Sequence, residues 1–135
     1  MGSFVPRIVA FCCDRSGYRA ADMAGGLGIS VPETIEVVRV PCAGRVDALH
    51  ILRALESGAD GVLIVACHRG NCRSLTGDLA VRARTEHVHE IMERIGLKRE
   101  RLELCNLSVQ DGPKFAETVR RKFEYLKELG PNPTR

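Results

Sequence analysis

Four short apolar runs alternate with four longer stretches in which apolar residues recur every three or four positions. The runs are Arg7 to Cys13 (RIVAFCC), Thr34 to Val40 (TIEVVRV), Gly61 to Cys67 (GVLIVAC) and Arg101 to Leu107 (RLELCNL). The first and third are nearly all apolar, as strands covered on both faces are. The second and fourth alternate more, as flanking strands do. The stretches between them predict helices. The first is small-sided, with Ala20, Ala21, Met23 and Ala24. Leu49, Leu52 and Leu55 define a face of the second, which Ser57–Gly58 closes. Val81, Val88, Ile91, Met92 and Ile95 do so in the third, up to Gly96. Phe115, Val119, Phe123 and Leu126 form the fourth, opened by Asp111 with Pro113 in its first turn and closed by Gly130 and Pro131.

Strict alternation of strand and helix, with crossovers of ~10–20 residues, predicts an α/β fold with a parallel sheet and helices on both of its faces. With right-handed crossovers, the expected order is 2-1-3-4 in a four-stranded, flavodoxin- or Rossmann-like sheet. The 135 residues make one domain, 1–135, with its core expected over about 7–129. Ligands in such folds sit beyond the carboxyl ends of the strands.

Composition narrows the function classes. Hydrophobic residues at 44% and charged residues at 27% exclude a disordered chain. No apolar run approaches the ~18–20 residues that cross a bilayer. A net charge of +3 and an aromatic content of 4% argue against a nucleic-acid surface. Met1 to Pro6 shows neither the basic nor the apolar part of a secretion signal, so a cytoplasmic, reducing environment is expected. There, the six cysteines point to metal or redox chemistry rather than to disulfides.

Their placement is specific. Cys13 ends the first run, Cys42 lies just past the second, Cys67 ends the third, and Cys72 follows in the loop CHRGNC. All four fall on one carboxyl edge, on three strands expected to be neighbours ~4.8 Å apart. Four convergent thiolates are the ligand set of a [2Fe–2S] or [4Fe–4S] cluster, or of structural zinc. Zinc staples favour paired Cys-x-x-Cys knuckles, which are absent here. Gly44 and Gly70 free nearby backbone amides to point at sulfur. Cys105, in mid-strand, and Cys12, facing the opposite side from Cys13, are expected to be core residues.

Two segments also match Cys-x5-Arg, from Cys13 to Arg19 and from Cys67 to Arg73 with Ser74 following. This is the oxyanion loop of cysteine-dependent phosphatases and arsenate reductases. In an arginine-rich chain such matches arise by chance, and this reading leaves Cys42 without a role. His50, His87 and His89 lie on helices, with His87 and His89 expected in solvent, while His68 follows Cys67 toward the site. Neither Gly-x-Gly-x-x-Gly nor a Walker loop is present.

The segments AFCCDRSGYRAADMAG, VRVPCAGRVDALHILRALESGADGVLIVACHRGNC and LTGDLAVRARTEHVHEIMERIGLKRERLEL give the chain a family likeness. From about Arg7 to about Leu126 it resembles the delta subunit of methyl-viologen-reducing (F420-non-reducing) hydrogenases. That resemblance implies a non-catalytic electron-transfer subunit with a [2Fe–2S] cluster. It implies a relay between a hydrogenase or formate dehydrogenase and a heterodisulfide reductase A-like flavoprotein, in an anaerobic organism. Cys13, Cys42, Cys67 and Cys72 match the family's cysteine positions. The sequence departs from the family after Cys13. Where the family usually reads Asn-Trp-Cys, this chain has Asp14, Arg15 and Ser16. Cys12 stands beside Cys13 as the alternative ligand, and Cys13 is preferred because it immediately precedes the turn. Arg15 to Tyr18 and His68 to Leu75, with Arg69 and Arg73, form a basic rim expected to dock the flavoprotein.

Overall fold

The central strand of the sheet is β1, Ile8–Cys13, flanked by β2, Ile35–Val40, and β3, Gly61–Ala66, with β4, Leu102–Asn106, outside β3. The structure, a computed structural model, describes residues 4–14, 17–66 and 77–133, of which 77–79 are described as backbone alone. All pairings are parallel and the order is β2-β1-β3-β4, as the alternation of elements predicts. Every position of β1 and β3 is buried, whereas β2 is half open and β4 mostly half-buried. The continuous apolar runs are therefore the inner strands and the alternating ones the edges.

The crossovers are α1 (Gly17–Gly26), α2 (Ala48–Glu56) and α3 (Gly77–Arg94), and α4 (Gly112–Leu129) follows β4. Two core layers result. On one face, Ile8, Ala10, Cys12, Leu63 and Val65 pack against Ala20 and Ala24 of α1 and Phe115, Val119 and Leu126 of α4. On the other, Val9, Phe11, Val62 and Ile64 pack against Ile51 and Leu55 of α2 and Val81, Val88 and Met92 of α3. The expected face of α2 is rotated, and that of α3 holds at Val81, Val88 and Met92 but not at its end. In α2 the buried pair is Ile51 and Leu55, with Ala48 and Leu52 beside them, and Leu49 is exposed. In α3 the stripe is Val81, Thr85, Val88 and Met92, and Ile95 is exposed beyond the helix. Spacing of three then four residues follows the 3.6-residue turn more closely than a strict three-residue step.

The small side chains of α1 let it lie close to the sheet. A Cβ on Gly17 would fall 2.6 Å from the Val65 carbonyl oxygen, so the first turn of α1 reaches β3 only because that residue is glycine.

The amino ends of the strands are closed by buried polar groups. Asp60 Oδ2 accepts from the Arg7 N–H at 2.8 Å, and Oδ1 accepts from the Asn132 N–H at 2.9 Å. The Asn132 amide donates to the carbonyls of Leu55 and Ala59, each at 2.8 Å. Arg101 donates to the carbonyls of Asp60, Gly130 and Pro131. The exit from α4 is thereby latched under β3. Among the described residues, no helix is long and apolar enough to cross a membrane.

Candidate metal centre

Because the strands are parallel, their carboxyl ends share one edge, and Cys13 is the last residue of β1. Its register partner is Val40, the last residue of β2, which packs on the α2/α3 side. Laterally paired residues of neighbouring strands share a face. Cys13 therefore stands on the α2/α3 side, buried at 2% exposure. Cys12 points the other way, into the α1/α4 core.

Cys42 lies two residues past the end of β2. Pro41 has no N–H to extend the ladder. Cys42 is extended (φ −154°, ψ 138°) and leads into a 3-10 turn, Ala43–Arg45. Within the turn, Arg45 N–H donates to Cys42 O at 2.9 Å and Val46 N–H to Ala43 O at 3.1 Å. Ala43 and Val46 are buried in the α2/α3 core, which folds the turn over the face on which Cys13 stands. Asp47 then caps α2, accepting from Leu49 N–H, while His50 Nδ1 accepts from Asp47 N–H. This capping box fixes where the turn ends and the helix begins.

Of the four expected ligands, Cys67 and Cys72 lie outside the described residues, as do Arg15, Ser16 and the His68 to Leu75 part of the rim, whereas Gly17 and Tyr18 open α1. The described chain brackets the second cysteine pair. β3 ends at Ala66, immediately before Cys67, and α3 begins at Gly77, five residues after Cys72. Among the described residues, no three of His, Cys, Asp and Glu come together in a way that would hold a metal ion. The two described donors fit an iron–sulfur cluster in type, as soft thiols, and in placement, at the ends of neighbouring strands on one side of the sheet.

Beyond Cys13 the chain is held by side chains whose importance the motifs do not signal. Asp14 N–H donates to Val40 O at 2.7 Å, continuing the β1–β2 ladder. The Asp14 carboxylate pairs with Arg39, whose guanidinium also lies 4.8 Å from the centre of the Tyr18 ring. The group is exposed, so it orients the turn more than it stabilises the fold. On the opposite flank, Arg84 of α3 donates from Nη1 to Gly44 O and Val46 O, both at 2.6 Å. Neither arginine belongs to a sequence motif, and only the fold brings them to the edge.

The other two described cysteines behave as core residues. Burial, reinforced by Cys105 and Cys13, pushes the Cys12 thiol up to about 12. Burial, reinforced by Glu103, pushes Cys105 up to about 12 from an ordinary value of 9.0. Between those values the unfolded chain releases the Cys105 proton and the folded chain keeps it. The folded state then binds more protons, so stability falls as pH rises. The Cys105 contribution should be complete below pH 9 and decline by up to about 1.4 kcal/mol per pH unit above it. Urea midpoints of the metal-free protein at pH 8 and pH 10 should show this decline, and Cys105→Ala should reduce it.

His87 is exposed, as expected, but His89 is not simply solvated. Its Nε2 donates to Leu102 O at 2.8 Å, covering part of the β4 edge.

The chain is similar to known proteins over most of its length. The family described as methyl-viologen-reducing hydrogenase, delta subunit, matches residues 8–130. The chain is 36% identical over 128 residues to the vhu iron-sulfur subunit of the F420-non-reducing hydrogenase of Methanocaldococcus jannaschii, covering 95% of this chain and 96% of that protein. It is 41% identical over 126 residues to the iron-sulfur subunit of the F420-non-reducing hydrogenase of Archaeoglobus profundus, covering 93% and 92%. It is also 36% identical over 126 residues to the A subunit of the ferredoxin/F420H2-dependent CoB-CoM heterodisulfide reductase of Methanosarcina acetivorans, covering 93% of this chain but 16% of that protein. A region similar to this chain thus occurs both as a separate hydrogenase subunit and within a heterodisulfide reductase polypeptide.

Proposed function

This chain belongs to the methyl-viologen-reducing hydrogenase delta-subunit family, and on that basis we propose that it is an electron-transfer subunit whose Cys13, Cys42, Cys67 and Cys72 hold a [2Fe–2S] cluster. The observation that carries the reading is the placement of Cys13 and Cys42 at the ends of adjacent strands, on one side of the carboxyl edge. Relatives named as iron-sulfur subunits support the cluster. When bound, such a cluster supplies one-electron redox chemistry. The whole of residues 1–135 acts as one cluster-binding domain, in a cytoplasmic and anaerobic setting.

The chain's own residues bind and orient. β1 and the turn after β2 present Cys13 and Cys42, and the capped start of α2 fixes that turn. Cys13 is the ligand rather than Cys12, because Cys12 faces the α1/α4 core and its thiol resists ionisation.

The partners are a heterodisulfide reductase A-like flavoprotein on one side and a hydrogenase or formate dehydrogenase on the other. The relatives' names support the heterodisulfide reductase and the hydrogenase, and the family resemblance adds formate dehydrogenase. The test mixes the purified hydrogenase, this chain and the flavoprotein under hydrogen and follows flavin reduction. Reduction should require this chain and should be lost with Cys42→Ser. Equal rates with and without the chain would refute the relay.

A further inference from the structure

The Cys42 turn is fixed to a helix that carries no candidate ligand. Around the turn, Cys42 O accepts from Arg45 N–H, Ala43 O from Val46 N–H, and Asp47 O from the N–H groups of His50 and Ile51. The carbonyls of Gly44 and Val46 are taken by one atom, Nη1 of Arg84, at 2.6 Å each. Both bonds are charge-assisted, and their length places them among the strong ones. Arg84 has little freedom to slide, because it lies between Val81, Thr85 and Val88, which are buried against the sheet. Two residues earlier, Arg82 Nη2 donates to Asn106 Oδ1 at 3.1 Å, at the end of β4. Helix α3 is thus tied to the carboxyl edge on both flanks. It is also the helix that begins five residues after Cys72.

We propose that Arg84 is a positioning residue: by clamping the two carbonyls that flank Arg45, it fixes the Cys42 turn against the helix that follows Cys67 and Cys72. The clamp sets the placement of the Cys42 turn relative to α3. Its meaning for a cluster rests on the proposed function, but the clamp itself can be measured without metal. The guanidinium also places a fixed positive charge on the turn that follows a ligand.

The test is thiol alkylation of the reduced, metal-free protein by iodoacetamide, read cysteine by cysteine by mass spectrometry. In Arg84→Met, Cys42 should react roughly tenfold faster, since local opening of the turn no longer breaks two charge-assisted hydrogen bonds. Cys12 and Cys105 should keep their wild-type rates. Arg84→Lys, whose ammonium can bridge two carbonyls, should fall between, and it serves as the test variant if Arg84→Met does not fold. In the iron-loaded protein, the electron paramagnetic resonance signal should shift in Arg84→Met and return toward wild type in Arg84→Lys. An unchanged Cys42 rate overturns the clamp. So does a parallel rise at Cys12 and Cys105, which would mark general loosening of the fold. A wild-type protein that binds no iron would refute the cluster while leaving the alkylation result to decide the clamp.

Discussion

Asp60→Ala should cost about 3–5 kcal/mol, a large part of the ~5–15 kcal/mol that holds a domain together. The carboxylate accepts two backbone N–H groups, from Arg7 and Asn132, at a residue with no exposed surface. Removing it strands the Asn132 N–H in the interior and takes the acceptor from the part-buried Arg7 N–H, at about 1–3 kcal/mol for the buried donor. It also removes a negative charge beside Arg101, which is 3% exposed and bonded to the Asp60 carbonyl. The latch that holds Gly130 to Asn132 under β3 would open. Urea denaturation should show a midpoint far below wild type, with Asp60→Asn between the two. A midpoint within experimental error of wild type would mean that the latch contributes nothing.

The second large effect concerns the cysteines. In anaerobically prepared protein, Cys13→Ser, Cys42→Ser, Cys67→Ser and Cys72→Ser should each reduce bound iron to about a tenth of wild type or less, because thiolates hold such clusters. Cys12→Ala and Cys105→Ala should keep their iron. Both side chains belong to or pack on the α1/α4 core, on the other face of the sheet from the Cys42 turn. If Cys12→Ala loses iron and Cys13→Ser keeps it, the ligand assignment in β1 is reversed.

The fold is legible in the sequence because its signals are local and repeated. Continuous apolar runs mark β1 and β3 as inner strands, and Pro113, Gly96 and Gly130 mark helix ends through residue chemistry that acts over one turn. The order β2-β1-β3-β4 is the commonest small arrangement of such units with right-handed crossovers. The strand ends also show that Cys13 and Cys42 share an edge. The anchoring of that edge is not legible. Arg84 and the Gly44 carbonyl are 40 residues apart, and Asn132 and Asp60 are 72 apart. Such contacts depend on where two helices lie after packing, and no spacing within the chain encodes them. His50 shows the same limit at short range. Its side chain closes the capping box of α2, a role usually filled by Glu or Gln, so the pattern does not announce it. The face of α2 departs from the leucine spacing because Leu49 is exposed although it is as apolar as Leu52. Burial there is set by the tilt of the helix on the sheet.

An iron–sulfur cluster on four cysteines at the carboxyl edge is tested most directly by its metal content. Iron, acid-labile sulfide and zinc per chain should be measured in anaerobically purified wild-type protein, with the spectrum of its dithionite-reduced form. The protein should be brown, with about two irons and two sulfides per chain and a reduced-state resonance signal. Stoichiometric zinc in a colourless protein, with neither iron nor sulfide, would contradict the cluster.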